Sequence, residues 1–198
     1  MRIIGGSLKG FKLKVPKGIS TRPSSEKVRS ALFNIIGPRI RDSLFLDLFA
    51  GSGAVGLEAL SRGARKAVFV ENSRLALQCL EDNLARSGLT CRGEILPLDV
   101  RQALSLLQKR GDRFDFIFLD PPYGQGWATL ILPRLASLLS PGGEIIWEGE
   151  RREEVSEVQG LKLKDRRVYG DTALNFYRLE EGESYGSHGP DRRDGGDD

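Results

Sequence analysis

Residues 44–56 read Leu-Phe-Leu-Asp-Leu-Phe-Ala-Gly-Ser-Gly-Ala-Val-Gly, and this stretch decides the fold. It begins as a short apolar run and continues into the spacing Gly51-x-Gly53-x-x-Gly56, which a helical pattern follows. Glycines at these positions let the backbone turn sharply from strand to helix and approach a ligand closely. Glu71 ends the next apolar run, at the separation expected of a carboxylate that holds a ribose diol. The stretch therefore predicts a parallel α/β sheet that binds an adenosine-type ligand beyond its first strand; the plainer alternative is a structural turn with a surface glutamate.

The rest of the chain repeats the rhythm of strand and helix. The pattern predicts strands at 44–48, 67–71, 94–98, 114–119 and 143–148, and helices near 54–62, 73–87, 100–110 and 127–139. Such alternation is typical of a parallel sheet covered by helices on both faces. Two more extended segments follow at 162–169 and 173–179 without a convincing helix between them, which predicts an antiparallel pair. The tryptophans Trp127 and Trp147 are interpreted as packing residues.

Three parts of the chain differ in composition. Residues 1–41 predict a small hairpin in 1–20 and a helix near 25–36 that Ser24 or Ser25 caps. Residues 42–179 hold the α/β pattern and form the predicted catalytic domain. Residues 180–198 contain almost no apolar side chain, and we expect a disordered acidic tail.

Composition excludes several classes of protein. The 198 residues are 39% hydrophobic, which suits one globular domain, and no apolar run approaches the roughly 18 residues of a membrane helix. The N-terminus lacks the apolar core of a signal peptide, so we expect a cytoplasmic protein. Cys79 and Cys91 form no Cys-x-x-Cys pair and the one histidine is His188 in the tail, so we expect no metal site. We also expect a monomer.

The net charge of +3 conceals an asymmetry along the chain. The tail 180–198 holds seven of the 27 acidic and two of the 30 basic residues, which leaves 20 acidic and 28 basic residues in the body. Residues 1–41 alone contain ten Lys and Arg but a single acid, Glu26. This density predicts a polyanionic partner such as a nucleic acid, and a merely solvated surface is the alternative.

A second motif, Asp120-Pro121-Pro122-Tyr123, follows the apolar run Phe114–Leu119. Two successive prolines stiffen the chain and offer carbonyls without N–H donors. A carboxylate, an acceptor carbonyl and an aromatic ring together suit a planar base that bears an exocyclic amine and has left its stack.

The identity of the adenosine ligand depends on the strand-end carboxylates. Asp47 precedes the glycines, where it would face a cationic ligand better than a pyrophosphate, and Asp99 could accept from an adenine amine. No His, Lys or Tyr is arranged for hydride transfer, and no Gly-Lys-Ser/Thr follows the glycines. These features favour S-adenosylmethionine over a nicotinamide dinucleotide, although a dehydrogenase stays open as an alternative.

The motifs together resemble class I S-adenosylmethionine methyltransferases, and the N-terminal part narrows the resemblance. Residues 21–34, Thr-Arg-Pro-Ser-Ser-Glu-Lys-Val-Arg-Ser-Ala-Leu-Phe-Asn, are similar to the opening signature of the bacterial RsmD family, as are Arg2–Gly6, Leu57–Ala64 and Tyr169–Thr172. The resemblance covers residues 1–179. It implies a Rossmann-like methyltransferase fold with a mostly parallel seven-stranded sheet, an antiparallel C-terminal strand pair and an N-terminal hairpin-helix extension. It also implies methylation of the exocyclic N2 of a guanine in 16S ribosomal RNA, the guanine-966 type of site, on the small subunit or its assembly intermediate.

The resemblance and the motifs also give the expected site residues. The catalytic set is Asp120, Pro121, Pro122 and Tyr123. The set expected to bind S-adenosylmethionine is Asp47, Phe49, Ala50, Gly51, Ser52, Gly53, Glu71, Asn72, Asp99, Val100 and Asp120, although the place of Asn72 beside Glu71 favours a helix cap over a ligand contact. The set expected to bind RNA phosphates is Lys9, Lys12, Lys14, Arg22 and Arg29. A DNA adenine-N6 methyltransferase and a non-catalytic RNA-binding assembly factor remain alternatives.

Overall fold

The structure, a computed structural model, describes residues 1–16, 26–122, 126–153 and 158–180. The helices are α1 (Glu26–Ile36), α2 (Ala54–Ser61), α3 (Arg74–Ser87), α4 (Val100–Arg110) and α5 (Trp127–Leu135). The strands are β1 (Leu44–Leu48), β2 (Lys66–Val70), β3 (Gly93–Leu96), β4 (Phe114–Leu119), β5 (Leu139–Glu150), β6 (Leu161–Tyr169) and β7 (Thr172–Leu179). Short 3₁₀ turns lie at Gly37–Ile40, Thr90–Arg92 and Ala136–Leu138.

The seven strands form one mixed sheet in the order β3-β2-β1-β4-β5-β7-β6. Strands β1 to β5 are parallel, while β7 runs antiparallel to both β5 and β6. The predicted α/β fold with an antiparallel C-terminal pair is confirmed. The strand order reverses between β1 and β4, and ligands of such sheets bind at the carboxyl ends of the strands at this switch point.

The largest differences from the predicted boundaries are at the start of β5 and the end of α5; β3 also ends at Leu96 rather than at 98. Strand β5 begins at Leu139 rather than at 143, since Leu139 already pairs with Phe114 and a register shift before Phe116 accommodates Gly142 at φ 75°. Helix α5 ends at Leu135 rather than at 139, and the chain continues in the 3₁₀ turn Ala136–Leu138.

Each face of the sheet buries its own apolar cluster. One cluster packs α4 and α5 on the sheet and includes Leu104, Leu132 and Trp147. The other packs α1, α2 and α3 on the opposite face and takes in Ile3 and Leu13 from the N-terminal segment. Residues 1–16 and 26–41 therefore extend the core of the sheet itself.

The N-terminal segment, as described over residues 1–16, forms the predicted hairpin in a reduced form, with a single antiparallel bridge between Arg2 and Lys12. The N–H of Ile3 donates to the Phe11 carbonyl at 3.0 Å, and the N–H of Gly10 donates back to the Ile3 carbonyl at 2.9 Å. The predicted helix cap at Ser24 or Ser25 and the tail beyond Glu180 lie outside the described residues.

Candidate active site

The glycine turn connects β1 to α2 through three residues with a positive φ, which are Phe49 at 64°, Gly51 at 56° and Gly53 at 80°. A Cβ on Gly51 would meet no atom within 4 Å, so this side of the turn is open to a ligand. Gly56 has a different role, because a Cβ there would lie 2.3 Å from the Phe69 ring. The absence of a side chain at Gly56 thus lets α2 pack closely on β2, while the absence at Gly51 keeps a cradle open.

Asp47 lies beneath this turn rather than facing a ligand, which corrects its predicted orientation. Its side chain is buried, and Oδ2 accepts from the Gly56 N–H at 2.8 Å. Burial raises the pKa of Asp47 to about 7, and the Glu71 charge also acts to raise the pKa, while the hydrogen bond from Gly56 lowers it. Asp47 thus supports the start of α2.

Glu71 ties the glycine turn to the start of α3. Its Oε2 accepts from the Gly51 N–H at 2.7 Å, and Oε1 accepts from the N–H groups of Asn72 at 2.8 Å and Ser73 at 2.7 Å. A carboxylate has about four acceptor sites. Because these bonds use three of them, Glu71 retains capacity at Oε2 for one ribose hydroxyl.

The capping role considered for Asn72 is wrong. Ser73 occupies the N-cap position of α3 without a side-chain capping hydrogen bond, and the Glu71 carboxylate accepts from its N–H. The exposed Asn72 side chain stays a predicted ligand contact.

A residue that sequence reasoning missed, Asn83, connects this turn to the N-terminal segment. Asn83 is fully buried; its Oδ1 accepts from the Lys14 N–H at 2.8 Å, and its Nδ2 donates to the carbonyls of Lys14 at 2.8 Å and Ser52 at 3.0 Å. The signal was available, since Asn83 lies in the apolar stripe of α3 with Ala76, Leu80 and Leu84. The basic segment and the glycine turn are therefore joined by one side chain.

Asp99 caps the first turn of α4 and is partly exposed. Its Oδ1 accepts from the Arg101 N–H at 2.9 Å and lies 3.4 Å from Arg101 Nε. Val100 is buried in the apolar cluster that packs α4 and α5 on the sheet, called the α4 cluster below, and Ala50 and Ser52 are almost fully buried in the turn. The backbones of these last three residues, rather than their side chains, would be the groups that face a cofactor.

Asp120 follows β4 one residue beyond the last register pair, in which Leu119 lies opposite Leu48. Asp120 and Phe49 therefore lie at the same level on neighbouring strands, at the switch point of the sheet. Asp120 is half-buried, Pro121 is buried and Pro122 is exposed. Tyr123 lies outside the described residues, and its stacking role stays a prediction.

The expected phosphate contacts are placed unevenly. Lys9 and Lys12 are exposed, while Lys14 is exposed and lies 3.1 Å from Asp82. Arg22 lies outside the described residues. Arg86, which the sequence did not single out, lies over the Phe11 ring at 5.0 Å and donates to the Lys12 carbonyl at 3.3 Å. The N-terminal segment thus carries its cations beside α3.

The phosphate role predicted for Arg29 is wrong. Its side chain is buried, Nη2 donates to the Arg2 carbonyl at 2.5 Å, and Nε lies 3.7 Å from Glu58. Burial lowers the pKa of Arg29, and the charge of Glu58 opposes this shift. Glu58 also accepts from the N–H groups of Ile4 and Gly5 at 2.7 and 2.8 Å, so the pair fastens the N-terminal segment to α2.

The described residues offer neither a metal site nor a membrane span. In the described ranges, no group of three or more His, Cys, Asp and Glu side chains is arranged to hold a metal ion. None of the helices in the described part of the chain has the length and apolar character needed to cross a membrane.

The strand order, the open glycine turn and the carboxylates that follow β2, β3 and β4 define the class I methyltransferase fold. Residues 1–178 match the family model described as "Conserved hypothetical protein 95". The chain belongs to this family, the RsmD family.

Individual relatives match this chain over nearly their whole length. The chain is 37% identical to ribosomal RNA small subunit methyltransferase D of Escherichia coli K12 over 192 residues, 93% of each chain. It is 32% identical to the protein of the same name from Haemophilus influenzae, over 90% of this chain and 93% of that one. A solved structure of a hypothetical protein from Thermus thermophilus superimposes with a TM-score of 0.77 at 39% identity, covering 89% of this chain and 98% of the other.

Proposed function

We propose that this protein transfers a methyl group from S-adenosylmethionine to the exocyclic N2 of a guanine in 16S ribosomal RNA, of the guanine-966 type, on the small subunit or its assembly intermediate. The observation that carries the proposal is the position of Asp120 and Pro121 one strand from the open glycine turn, at the switch point of the sheet. The names of the two bacterial relatives support ribosomal RNA of the small subunit as the substrate.

The residues around the turn fit S-adenosylmethionine. The open side of Gly51 leaves room for a ligand, and Glu71 retains an acceptor for a ribose hydroxyl. Asp99 contacts Arg101 through Oδ1, which leaves Oδ2 to accept from an adenine amine. When bound, S-adenosylmethionine supplies a sulfonium methyl group, which the N2 lone pair attacks while the carbon–sulfur electron pair stays on sulfur.

The contribution of the chain to this step is positioning. The lone pair of guanine N2 is delocalised into the ring, so the amine is a poor nucleophile. The Asp120 carboxylate and the Pro121 carbonyl would accept from the two N–H groups, because neither proline offers a competing donor. Those hydrogen bonds aim the lone pair, and Asp120 or nearby water takes the proton that the amine loses. Tyr123 is proposed to stack on the base, which would offset about 1–3 kcal/mol of the cost of flipping it out.

The test is methyl transfer from tritiated S-adenosylmethionine to three acceptors, which are unmodified small ribosomal subunits, naked 16S RNA and double-stranded DNA. We expect incorporation into the ribosomal RNA as N2-methylguanosine and none into DNA. Incorporation into DNA as N6-methyladenine would instead support the DNA enzyme, and binding of the RNA without transfer to any acceptor would support an assembly factor.

A further inference from the structure

Phe49, the residue between β1 and the glycine turn, has an unusual backbone. Its φ of 64° lies in the left-handed region, which a residue with a Cβ seldom adopts and which costs about 1–3 kcal/mol. The ring of Phe49 packs on the α4 side of the sheet, where it meets the Trp127 ring edge-on at 5.4 Å and 68°. Strain of this kind persists only where the surrounding structure holds the residue firmly, and it is frequent at ligand-binding sites.

Arg101 connects Trp127 to Asp99. The Arg101 guanidinium carbon lies 5.5 Å from the centroid of the Trp127 ring. Arg101 is itself held by Asp99, through its N–H at 2.9 Å and its Nε at 3.4 Å. The indole therefore contacts Phe49 beside the glycine turn and Arg101 beside Asp99. The glycine turn and Asp99 are the two parts proposed to hold the sugar and the base of the cofactor.

The surroundings of Trp127 differ from those of the other tryptophan. Trp147 is 2% exposed and packs within the α4 cluster, as expected of a packing residue. Trp127 is only half-buried and begins α5 at the carboxyl edge of the sheet, a few residues after Asp120. An aromatic ring held in place by a strained phenylalanine and an arginine, with part of its surface open, suits the face of a purine.

We propose that Trp127 forms the outer wall of the adenosine site and contacts the adenine of the cofactor, with Phe49 and Arg101 holding it in place. This inference rests on the proposed function, since it takes S-adenosylmethionine as the ligand. It gives Trp127 a binding role in place of the packing role expected from the sequence.

The contact makes Trp127 fluorescence a direct measure of cofactor occupancy. The experiment titrates S-adenosylhomocysteine into wild type, Trp127→Phe, Trp127→Ala and Trp147→Phe, with tryptophan fluorescence and calorimetry recorded on the same samples. We expect a saturable fluorescence change in wild type and in Trp147→Phe, and none in Trp127→Phe, which retains only the buried indole. Loss of a base–aromatic stack should weaken binding by about 5- to 150-fold in Trp127→Ala and by less in Trp127→Phe.

The possible results separate the two proposals. Thermal unfolding of Trp127→Ala establishes that the variant is folded, and the partial rescue by phenylalanine separates a stacking contact from a loss of structure. Wild-type affinity in Trp127→Ala, or a fluorescence change that persists in Trp127→Phe, would overturn the role of Trp127 alone. A wild-type protein that binds no S-adenosylhomocysteine by calorimetry would overturn both this role and the proposed function.

Discussion

Replacing Asn83 by alanine should loosen the N-terminal segment from the glycine turn. The change removes three short hydrogen bonds, two to the backbone of Lys14 and one to the Ser52 carbonyl, and a long one of 3.5 Å from Arg86 Nη1. A typical intramolecular hydrogen bond contributes about 0.5–1.5 kcal/mol net, so the three together contribute about 1.5–4.5 kcal/mol. Lys14 is exposed, so water can replace part of the lost hydrogen bonding to its backbone. We therefore expect the free energy of unfolding to fall by about 2–3 kcal/mol, near the middle of that range.

The assay is urea and thermal unfolding of Asn83→Ala beside a matched control, Gln78→Ala, on the exposed face of the same helix. For a chain of this length, a loss of 2–3 kcal/mol corresponds to a fall in Tm of about 4–12 °C. The control should stay within about 0.5 kcal/mol of wild type. If Asn83→Ala had the same free energy of unfolding as the control, the three bonds would contribute nothing net, and the contact of the N-terminal segment with the glycine turn would not stabilise the protein.

Three further changes test other parts of the site. The Asp47 carboxyl has a pKa of about 7 in the folded protein and 3.8 as the reference value, so folding takes up a proton between these pH values and the free energy of unfolding of wild type falls there by up to ~1.4 kcal/mol per pH unit. Asp47→Asn cannot take up this proton, so urea midpoints measured from pH 4 to 8 should fall less steeply with pH than those of wild type. Glu71→Ala should weaken the binding of S-adenosylhomocysteine by about 1.5–3 kcal/mol in calorimetry, because the ribose loses a charged acceptor. Unchanged affinity would remove Glu71 from the site. Changing Lys9, Lys12 and Lys14 to glutamine should lower the salt dependence of RNA binding by about 0.7–0.9 log units for each lost phosphate contact without changing which guanine is modified, and filter binding that shows an unchanged slope would place the RNA elsewhere.

The sequence predicted those parts of the site that depend on local chemistry. The glycine spacing after an apolar strand required a tight turn into a helix, and the turn lies between β1 and α2 as expected. Glu71 directly follows β2 and lies within reach of Gly51, because the loops after β1 and β2 meet at one edge of a parallel sheet. Such features follow from periodicity and spacing, which are local properties.

The role of Arg29 was misjudged because it depends on which face of α1 is buried. Arg29 lies in a basic stretch, and charge density alone predicted an exposed cation. It also stands three, four and seven residues before Leu32, Phe33 and Ile36, which is the spacing of a core-facing stripe. Its partner Glu58 is distant in the sequence, so only the packing of α1 and the N-terminal segment against α2 shows that the charge is paired rather than solvated.

The central claim is tested most directly by nucleoside analysis of 16S ribosomal RNA from cells that lack the gene for this protein. The cells are complemented with wild type, with Asp120→Ala or with an empty vector, and the N2-methylguanosines of the small-subunit RNA are mapped by mass spectrometry. We predict that one N2-methylguanosine is missing without the gene, returns with wild type and stays missing with Asp120→Ala, because the variant binds the cofactor but no longer aims the amine. An unchanged set of N2-methylguanosines in cells without the gene, or full restoration by Asp120→Ala, would contradict the assignment of guanine N2 methylation to this site.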